Sequence, residues 1–189
     1  MEKELSEMTL EELWTLFPIF LVEHKDQWKA QYDEIEAFIR ETVSACPVDR
    51  ISHIGSTAVP GIRAKDIVDV LIEIPKDSDM KKIACILEQR GFTRMSASGA
   101  RISLNKGYTK NGFASKVYHI HIRYTGDNDE LYFRDYLIGH PEIAKEYEGL
   151  KLKLWREYEH DRDAYTAAKT AFIRKQTEAA LKEYAGKYR

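Results

Sequence analysis

The stretch HIGSTAVPGIRAKDIVDVLIEI, residues 53–74, decides the fold of this chain. It begins in a strand predicted over residues 48–54 and passes through a loop broken by a proline and two glycines, Gly55 and Gly61. A second strand is predicted over residues 66–74, which are rich in Ile and Val on both faces. The second strand, apolar on both faces, is therefore predicted to be a central strand of the sheet.

The same stretch carries groups that suit phosphate chemistry. At the Gly55-Ser56 turn, backbone amides and a hydroxyl can hold phosphate oxygens. Asp69 stands between two valines of the second strand, where a carboxylate is costly unless a cation pairs with it. A metal ion is one such cation. The alternative is a structural ion pair with Arg63 or Lys65.

Two helices are predicted before this stretch. Thr9 and Glu12 have the spacing of a capping box at the start of the first, predicted over residues 8–20. The second begins near Asp26. Its apolar residues recur on one helical face: Trp28, Tyr32, Ile35 and Ile39.

After the second strand the pattern returns to a helix. Asp77 or Ser78 can cap a helix that runs to about Arg90, with Gly91 just past its end. Within it Cys85 is predicted to be a buried small apolar residue.

Two more strands are predicted, over residues 101–105 and 116–123, with turn signals at Lys106-Gly107 and Asn111-Gly112. Alternation along the later strand puts these residues on one face: Val117, His119, His121 and Arg123. Two histidines facing one way could be metal ligands, whereas a single strand histidine usually has a structural role.

From Asp127 onward the chain is predicted to be helical, with Pro141 at a first helical position and helices over residues 143–159 and 164–184. The order of elements predicts an α+β fold, a mixed sheet flanked by helices with a helical C-terminal part. We expect one compact unit over residues 1–189. It would comprise an α/β core with N-terminal helices in residues 1–125 and a helical subdomain in residues 126–189.

Composition limits the possible partners and compartments. The formal net charge is −2, so there is no global positive field and a nucleic-acid partner is not expected. Cys46 and Cys85 lie in no zinc-binding spacing, and we expect both thiols to be reduced. The sequence has no signal peptide pattern and no apolar stretch long enough to span a membrane. We therefore expect a cytoplasmic protein without a membrane partner.

The string HIGSTAVPGIRAKDIVDV, residues 53–70, resembles the signature of the GrpB family. The resemblance continues in residues 133–137, 140–142 and 165–169. GrpB proteins are similar to the nucleotidyltransferase superfamily, and this similarity implies a nucleotidyltransferase-like fold. In that superfamily a glycine pair ends the first strand, two carboxylates lie on the next, and a third comes from a later strand. These carboxylates hold two divalent metals.

The resemblance implies roles for particular residues. Gly55 and Ser56 match the glycine pair, and Asp69 matches the first carboxylate. Leu71 stands where the second carboxylate is expected, so Glu73, two residues further on the same strand face, is the candidate replacement. Asp69 and Glu73 are accordingly the predicted catalytic residues and ligands of Mg²⁺ or Mn²⁺.

His119 and His121 are further candidate metal ligands, and imidazole would favour a transition metal over Mg²⁺. Tyr165 and Lys169, one helical turn apart, share a face. The predicted ligand- or phosphate-binding residues are Gly55, Ser56, Thr57, Arg63, Lys65, Arg134, Tyr165 and Lys169.

The expected function is binding of a nucleotide or other phosphorylated small molecule, with metal-dependent nucleotidyl transfer as the reaction that the resemblance implies. Two alternatives stay open. One is a non-catalytic nucleotide-binding module. The other is a metal-dependent hydrolase that uses Asp69 with His119 and His121.

Overall fold

The computed structural model describes residues 3–188. The helices in that range are α1 (Leu10–Leu16), α2 (Gln27–Thr42), α3 (Met80–Glu88), α4 (Asp129–Gly139), α5 (Pro141–Glu157) and α6 (Arg162–Glu183). The strands are β1 (Arg50–Ile54), β2 (Val68–Ile74), β3 (Thr93–Ser98), β4 (Arg101–Thr109) and β5 (Gly112–Tyr124). Short 3₁₀ turns occupy Leu5–Glu7 and Ser56–Ala58.

The strands form one mixed sheet in the order β1-β2-β5-β4-β3. β2 and β5 pair in parallel, and the other three pairings are antiparallel. The predicted α+β class, a mixed sheet flanked by helices with a helical C-terminal part, is confirmed.

The two faces of β2 are both covered, but by different helices. Alternate residues such as Val70 and Ile72 face the main core, where they pack with apolar residues of α2 and α3, including Trp28 and Leu87. The intervening positions face the other way, and Leu71 there packs against Leu131 of α4. We call this second side of the sheet the site face. The residues of β2 and β5 on it are Asp69, Leu71, Glu73, His119, His121 and Arg123.

The helical C-terminal part lies over the site face. α4 contacts β1, and α4, α5 and α6 contact one another. Val59 and Ile62, from the loop after β1, are buried against Leu137 and Tyr147 of these helices. The loop of the opening stretch is thus clamped between the sheet and the C-terminal helices. None of the helices within residues 3–188 is long and apolar enough to cross a membrane.

The sheet differs from the sequence prediction at two places. β3 was not predicted, because it is an exposed edge strand without apolar alternation. The predicted turn at Lys106-Gly107 is wrong, because β4 continues to Thr109. The pairing register shifts between Lys106 and Tyr108, as at a β-bulge. The chain instead turns between Thr109 and Gly112, which pair across the hairpin.

The helices also differ in detail. The first spans Leu10–Leu16, so it ends two residues before Pro18, within the predicted residues 8–20. Cys85 is exposed, not buried, because α3 packs through Ile83 and Leu87 and turns Cys85 away from the sheet. An apolar neighbourhood in the sequence does not reveal which helical face a residue occupies.

A substitution at Gly107 tests the geometry of the bulge in β4. Its φ is 98°, and a Cβ there would lie 2.4 Å from the carbonyl oxygen of Lys116. We expect Gly107→Ala to lower the free energy of unfolding by about 3 kcal/mol in urea titrations. Gly99→Ala is the control: it has no atom within 4 Å of the added Cβ and no positive φ. Equal effects of the two substitutions would contradict the bulge geometry.

Candidate metal and phosphate site

Gly55 brings the end of β1 directly against Asp69. Ile54 pairs with Asp69 across the strands, and the next residue, Gly55, has a φ of 73°. A Cβ at position 55 would lie 2.5 Å from Oδ2 of Asp69. Only glycine therefore allows the backbone to pass this close to the carboxylate.

Asp69 forms a cluster with two histidines of β5. Parallel pairing places Asp69 beside His119 and Leu71 beside His121. Oδ1 of Asp69 lies 3.2 Å from Nδ1 of His119 and 3.4 Å from Nε2 of His121. One ligand atom from each of the three residues lies within 4.8 Å of the other two. A tetrahedral site with bonds of about 2.0–2.1 Å has ligand atoms about 3.3 Å apart, so the cluster has the dimensions of a metal site.

The electrostatics of the cluster also suit a cation. Burial acts to raise the pKa of Asp69, but hydrogen bonds and charge from His119 and His121 hold that pKa well below its ordinary value. Burial lowers the pKa of His119 despite the nearby carboxylate. At neutral pH the cluster therefore contains an ionised carboxylate and a neutral His119, the protonation states in which these groups bind metals.

A second layer of residues supports His119. Nη1 of Arg162 donates to the hydroxyl of Tyr108 at 2.9 Å, and that hydroxyl lies 2.8 Å from Nε2 of His119. Because a hydroxyl both donates and accepts, Tyr108 can satisfy either tautomer of His119. Metal-binding histidines commonly have such a partner on the second ring nitrogen. Sequence reasoning missed Tyr108 and Arg162, since neither is near Asp69 or the histidines in the recognised motif.

The predicted second carboxylate lies elsewhere. Glu73 is fully buried, forms an ion pair with Nε of Arg50 at 2.8 Å, and accepts a hydrogen bond from Nδ2 of Asn128 at 2.8 Å. Four residues along β2 separate it from Asp69 by about 13 Å. The structure therefore does not bring Glu73 into the cluster, and the carboxylate pair that the resemblance implies does not form.

Thr57 and Arg134 have structural partners. The Thr57 hydroxyl donates to the carbonyl of Ile67 at 3.2 Å, so it accepts from Nε2 of His53 at 3.0 Å. Burial lowers the pKa of His53 to about 4, consistent with a neutral ring. Arg134 donates to the carbonyl of His53 at 2.8 Å and to the Tyr188 hydroxyl at 2.9 Å. Arg134 thus supports the end of β1 from outside the pocket.

Arg63 also lies away from the pocket. Its side chain forms an ion pair with Glu23 at 2.7 Å. Its backbone connects the loop to α5, because the Arg63 amide donates to Glu148 at 2.5 Å and its carbonyl accepts from Nζ of Lys151. Neither Arg63 nor Arg134 lines the pocket between the site face and the C-terminal helices, and both side chains have partners elsewhere, so their phosphate-binding role stays a prediction that this geometry does not favour.

Between the site face and the C-terminal helices lies a pocket of about 700 Å³. This volume is within the range of small-molecule sites. The predicted ligand-binding residues that line it are Gly55, Ser56, Thr57, Lys65, Tyr165 and Lys169. The cluster residues Asp69, His119 and His121 line it as well. Sequence reasoning did not place Tyr147, whose hydroxyl hydrogen-bonds Ser56.

Three lysines bring positive charge to this pocket. Burial, together with the charge of neighbouring cations, lowers the pKa of Lys65 to about 7, of Lys151 to about 7 and of Lys169 to about 8. Lys169 lies 4.3 Å from the ring centre of Tyr165. Within residues 3–188, neither Lys65 nor Lys169 forms an ion pair with a carboxylate. An anion is the partner that such ammonium groups lack.

Comparisons of the sequence and structure with known proteins agree with this fold. The profile of the GrpB protein family matches residues 18–179. This chain belongs to the GrpB family. The glutamate-rich protein GrpB of Alkalihalophilus pseudofirmus is 33% identical over 161 residues, which cover 82% of this chain and 91% of that protein.

Two solved structures share the fold. The conserved protein GrpB from Enterococcus faecalis matches with a TM-score of 0.74 and 28% identity, covering 87% of this chain and 99% of that one. The Cid1 poly(U) polymerase matches with a TM-score of 0.51 and 12% identity, covering 78% of this chain and 46% of that one. The second match supports a nucleotidyltransferase-like fold for this GrpB protein.

The contact between Gly55 and Asp69 gives a matched pair of variants. Gly55 and Gly61 both have a φ of 73°, but a Cβ at position 61 would have nothing within 4 Å. Gly55→Ala and Gly61→Ala therefore carry the same backbone strain, and only the former displaces the carboxylate. We expect Gly55→Ala to weaken Zn²⁺ binding by about 10- to 100-fold in calorimetric titrations, with Gly61→Ala unchanged. Equal Zn²⁺ affinities of the two variants would show that Gly55 does not affect the cluster.

Proposed function

We propose that this GrpB protein binds a nucleotide or other phosphorylated small molecule in the pocket, together with one divalent transition metal held by Asp69, His119 and His121. One observation carries the proposal: a carboxylate with two imidazoles borders the same pocket as Lys65 and Lys169, which have no carboxylate partner in the described part of the chain. The first group suits a metal cation, and the second suits a phosphate.

The kind of metal follows from the ligand types. Two imidazoles and one carboxylate suit Zn²⁺ and other transition metals better than Mg²⁺, which prefers oxygen ligands. A four-coordinate metal held by these three residues would keep one position for a ligand or water, as in catalytic sites. A metal bound there supplies a Lewis acid for a phosphoryl oxygen.

The lysines supply the complementary charge for the ligand. Lys65 follows the loop of the opening stretch, and Lys151 and Lys169 come from α5 and α6. In the free protein burial lowers the pKa of each lysine, and the charge of Lys169 also acts to lower the pKa values of Lys65 and Lys151. A phosphate between them removes this repulsion, so the pocket is prepared for an anion rather than for a neutral ligand.

Among phosphorylated ligands, the fold favours nucleotides. The Cid1 polymerase, which has the same fold, is described bound to MgATP. The two-metal arrangement of nucleotidyltransferases does not fit this chain, however, because buried Leu71 occupies the position of the second carboxylate. The single carboxylate with two histidines favours a second candidate, metal-dependent hydrolysis of a phosphoester, over nucleotidyl transfer.

The reactions are separated by their products. The protein is incubated with each ribonucleoside triphosphate and Zn²⁺, Mn²⁺ or Mg²⁺, and the phosphorus species are followed by ³¹P NMR. Hydrolysis releases phosphate or a nucleotide in water alone, whereas transfer requires an added hydroxyl acceptor. Binding without turnover would support the non-catalytic module, and no binding of any phosphorylated ligand would contradict the proposal.

Asp69 and Glu73 provide the test of the metal site, because both are carboxylates on the same face of β2. We expect Asp69→Asn to lower Zn²⁺ affinity by at least about 100-fold, because it removes the only charged ligand of the cluster. Glu73→Gln removes the partner of Arg50, so it should lower the melting temperature and leave Zn²⁺ affinity unchanged. Calorimetric titration and thermal unfolding measure the two effects. If Glu73→Gln weakened Zn²⁺ binding and Asp69→Asn did not, Glu73 would be the metal ligand.

The lysines predict a pH dependence of anion binding. The pKa values of Lys65, Lys151 and Lys169 are lowered to about 7, 7 and 8, and their charge is lost as pH rises through these values. Asp69, which also acts on Lys65 and Lys169, keeps its charge: although burial acts to raise its pKa, hydrogen bonds from the two cluster histidines hold that pKa well below its ordinary value. Affinity for sulfate, whose charge is constant, should therefore fall by about tenfold between about pH 6 and pH 9.

The matched variants are Lys169→Met and Lys175→Met. Lys169→Met should weaken sulfate binding at pH 6 and flatten the pH dependence of sulfate affinity. Lys175 is exposed on the same helix and serves as the control. A sulfate affinity that rises with pH, or is equally affected by both variants, would remove these lysines from the ligand site.

A further inference from the structure

The pocket continues along β5 beyond the metal cluster. His119, His121 and Arg123 alternate onto the site face, and all three line the pocket. Arg123 therefore lies about 13 Å from His119 along the strand. A ligand with its phosphates near Lys65 and Lys169 could extend its remaining part toward Arg123.

Arg123 is buried but incompletely hydrogen-bonded. It is 6% exposed, and Nη1 donates to the carbonyl of Ile122 at 3.1 Å. Nε has no hydrogen-bond partner among residues 3–188. The carboxylates of Asp127 and Glu130 stand 3.9 Å from the guanidinium, too far for a hydrogen bond. Asp127 instead binds the guanidinium of Arg101.

Glu130 has the complementary deficit. Its Oε2 is buried and accepts no hydrogen bond from the described part of the chain. Glu130 borders the pocket too. Its Oε1 forms an ion pair with Nη2 of Arg123 at 3.9 Å, but within residues 3–188 neither Nε of Arg123 nor Oε2 of Glu130 has a hydrogen-bond partner. Buried polar groups without partners are uncommon and are costly in free energy. Both groups would be satisfied by a ligand that has an acceptor next to a donor.

The chemistry of this pair excludes several ligand groups. Glu130 would repel a phosphate, and Arg123 would repel a cation, so neither is a good occupant. An apolar group would leave both polar atoms unsatisfied. Phe133, one helical turn after Glu130 on α4, also lines the pocket and offers a flat apolar surface.

We propose that Arg123 and Glu130 bind the hydrogen-bonding edge of a nucleobase, with Phe133 against its ring. A nucleobase edge has a ring or carbonyl acceptor beside an amino or imino donor, the pattern that this pair of side chains requires. The inference rests on the proposed function, because the phosphates of the same nucleotide would lie at the metal cluster and the lysines. It assigns Arg123 and Glu130 as specificity-determining residues, distant from the reacting phosphates.

The test measures what the base adds to binding. Calorimetric titrations compare the four ribonucleoside triphosphates with inorganic tripolyphosphate, which has no base. For the wild-type protein we expect at least one nucleotide to bind about tenfold more tightly than tripolyphosphate. Glu130→Gln and Arg123→Lys should each reduce that gain at least about fivefold and leave tripolyphosphate affinity unchanged.

Glu178→Gln is the matched control, because Glu178 also lines the pocket but is exposed and paired with Arg174. Thermal unfolding checks that Arg123→Lys remains folded, and Glu130→Gln tests the inference if it does not. The inference alone would be overturned if both variants kept the higher affinity for the nucleotide over tripolyphosphate. It would also be overturned if the wild-type protein bound tripolyphosphate as tightly as every nucleotide. Failure of tripolyphosphate and all nucleotides to bind would overturn the proposed function as well.

Discussion

The half-buried, ionised carboxylate of Asp69 is the group on which the rest of the site depends. It lies on the central strand, with the Gly55 backbone on one side and His119 and His121 on the other. A charge removed from water is stable only with such partners. The parallel pairing of β2 with β5 brings the two histidines beside this group, and the absence of a side chain at position 55 lets the backbone approach it closely.

The C-terminal helices add a second electrostatic constraint. Lys151 and Lys169 point from α5 and α6 into a pocket that already contains Lys65, and burial lowers the pKa of all three. Such an arrangement costs stability in the free protein. Sites that bind charged ligands often retain this kind of cost, because the ligand supplies the missing counter-charge.

The relation to nucleotidyltransferases is one of fold with altered site chemistry. The Gly55-Ser56 turn and Asp69 occupy the positions that the family resemblance implies, but Leu71 is buried in the apolar contact with α4. His119 and His121 complete the cluster instead. Replacing oxygen ligands by imidazoles would change which metals such a site prefers, so a shared fold alone does not carry over the reaction.

The sequence by itself determined the elements whose information is local: the apolar strands, the glycine loop between them, and the alternation that puts His119 and His121 on one face. It did not determine which side chains meet across the fold. Glu73 has the right residue type but is bound by Arg50, whereas Tyr108 reaches His119 only through the bulged β4. Residue type and spacing reveal the face of a strand, but hydrogen-bond partners distant in sequence are set only when the sheet and helices pack.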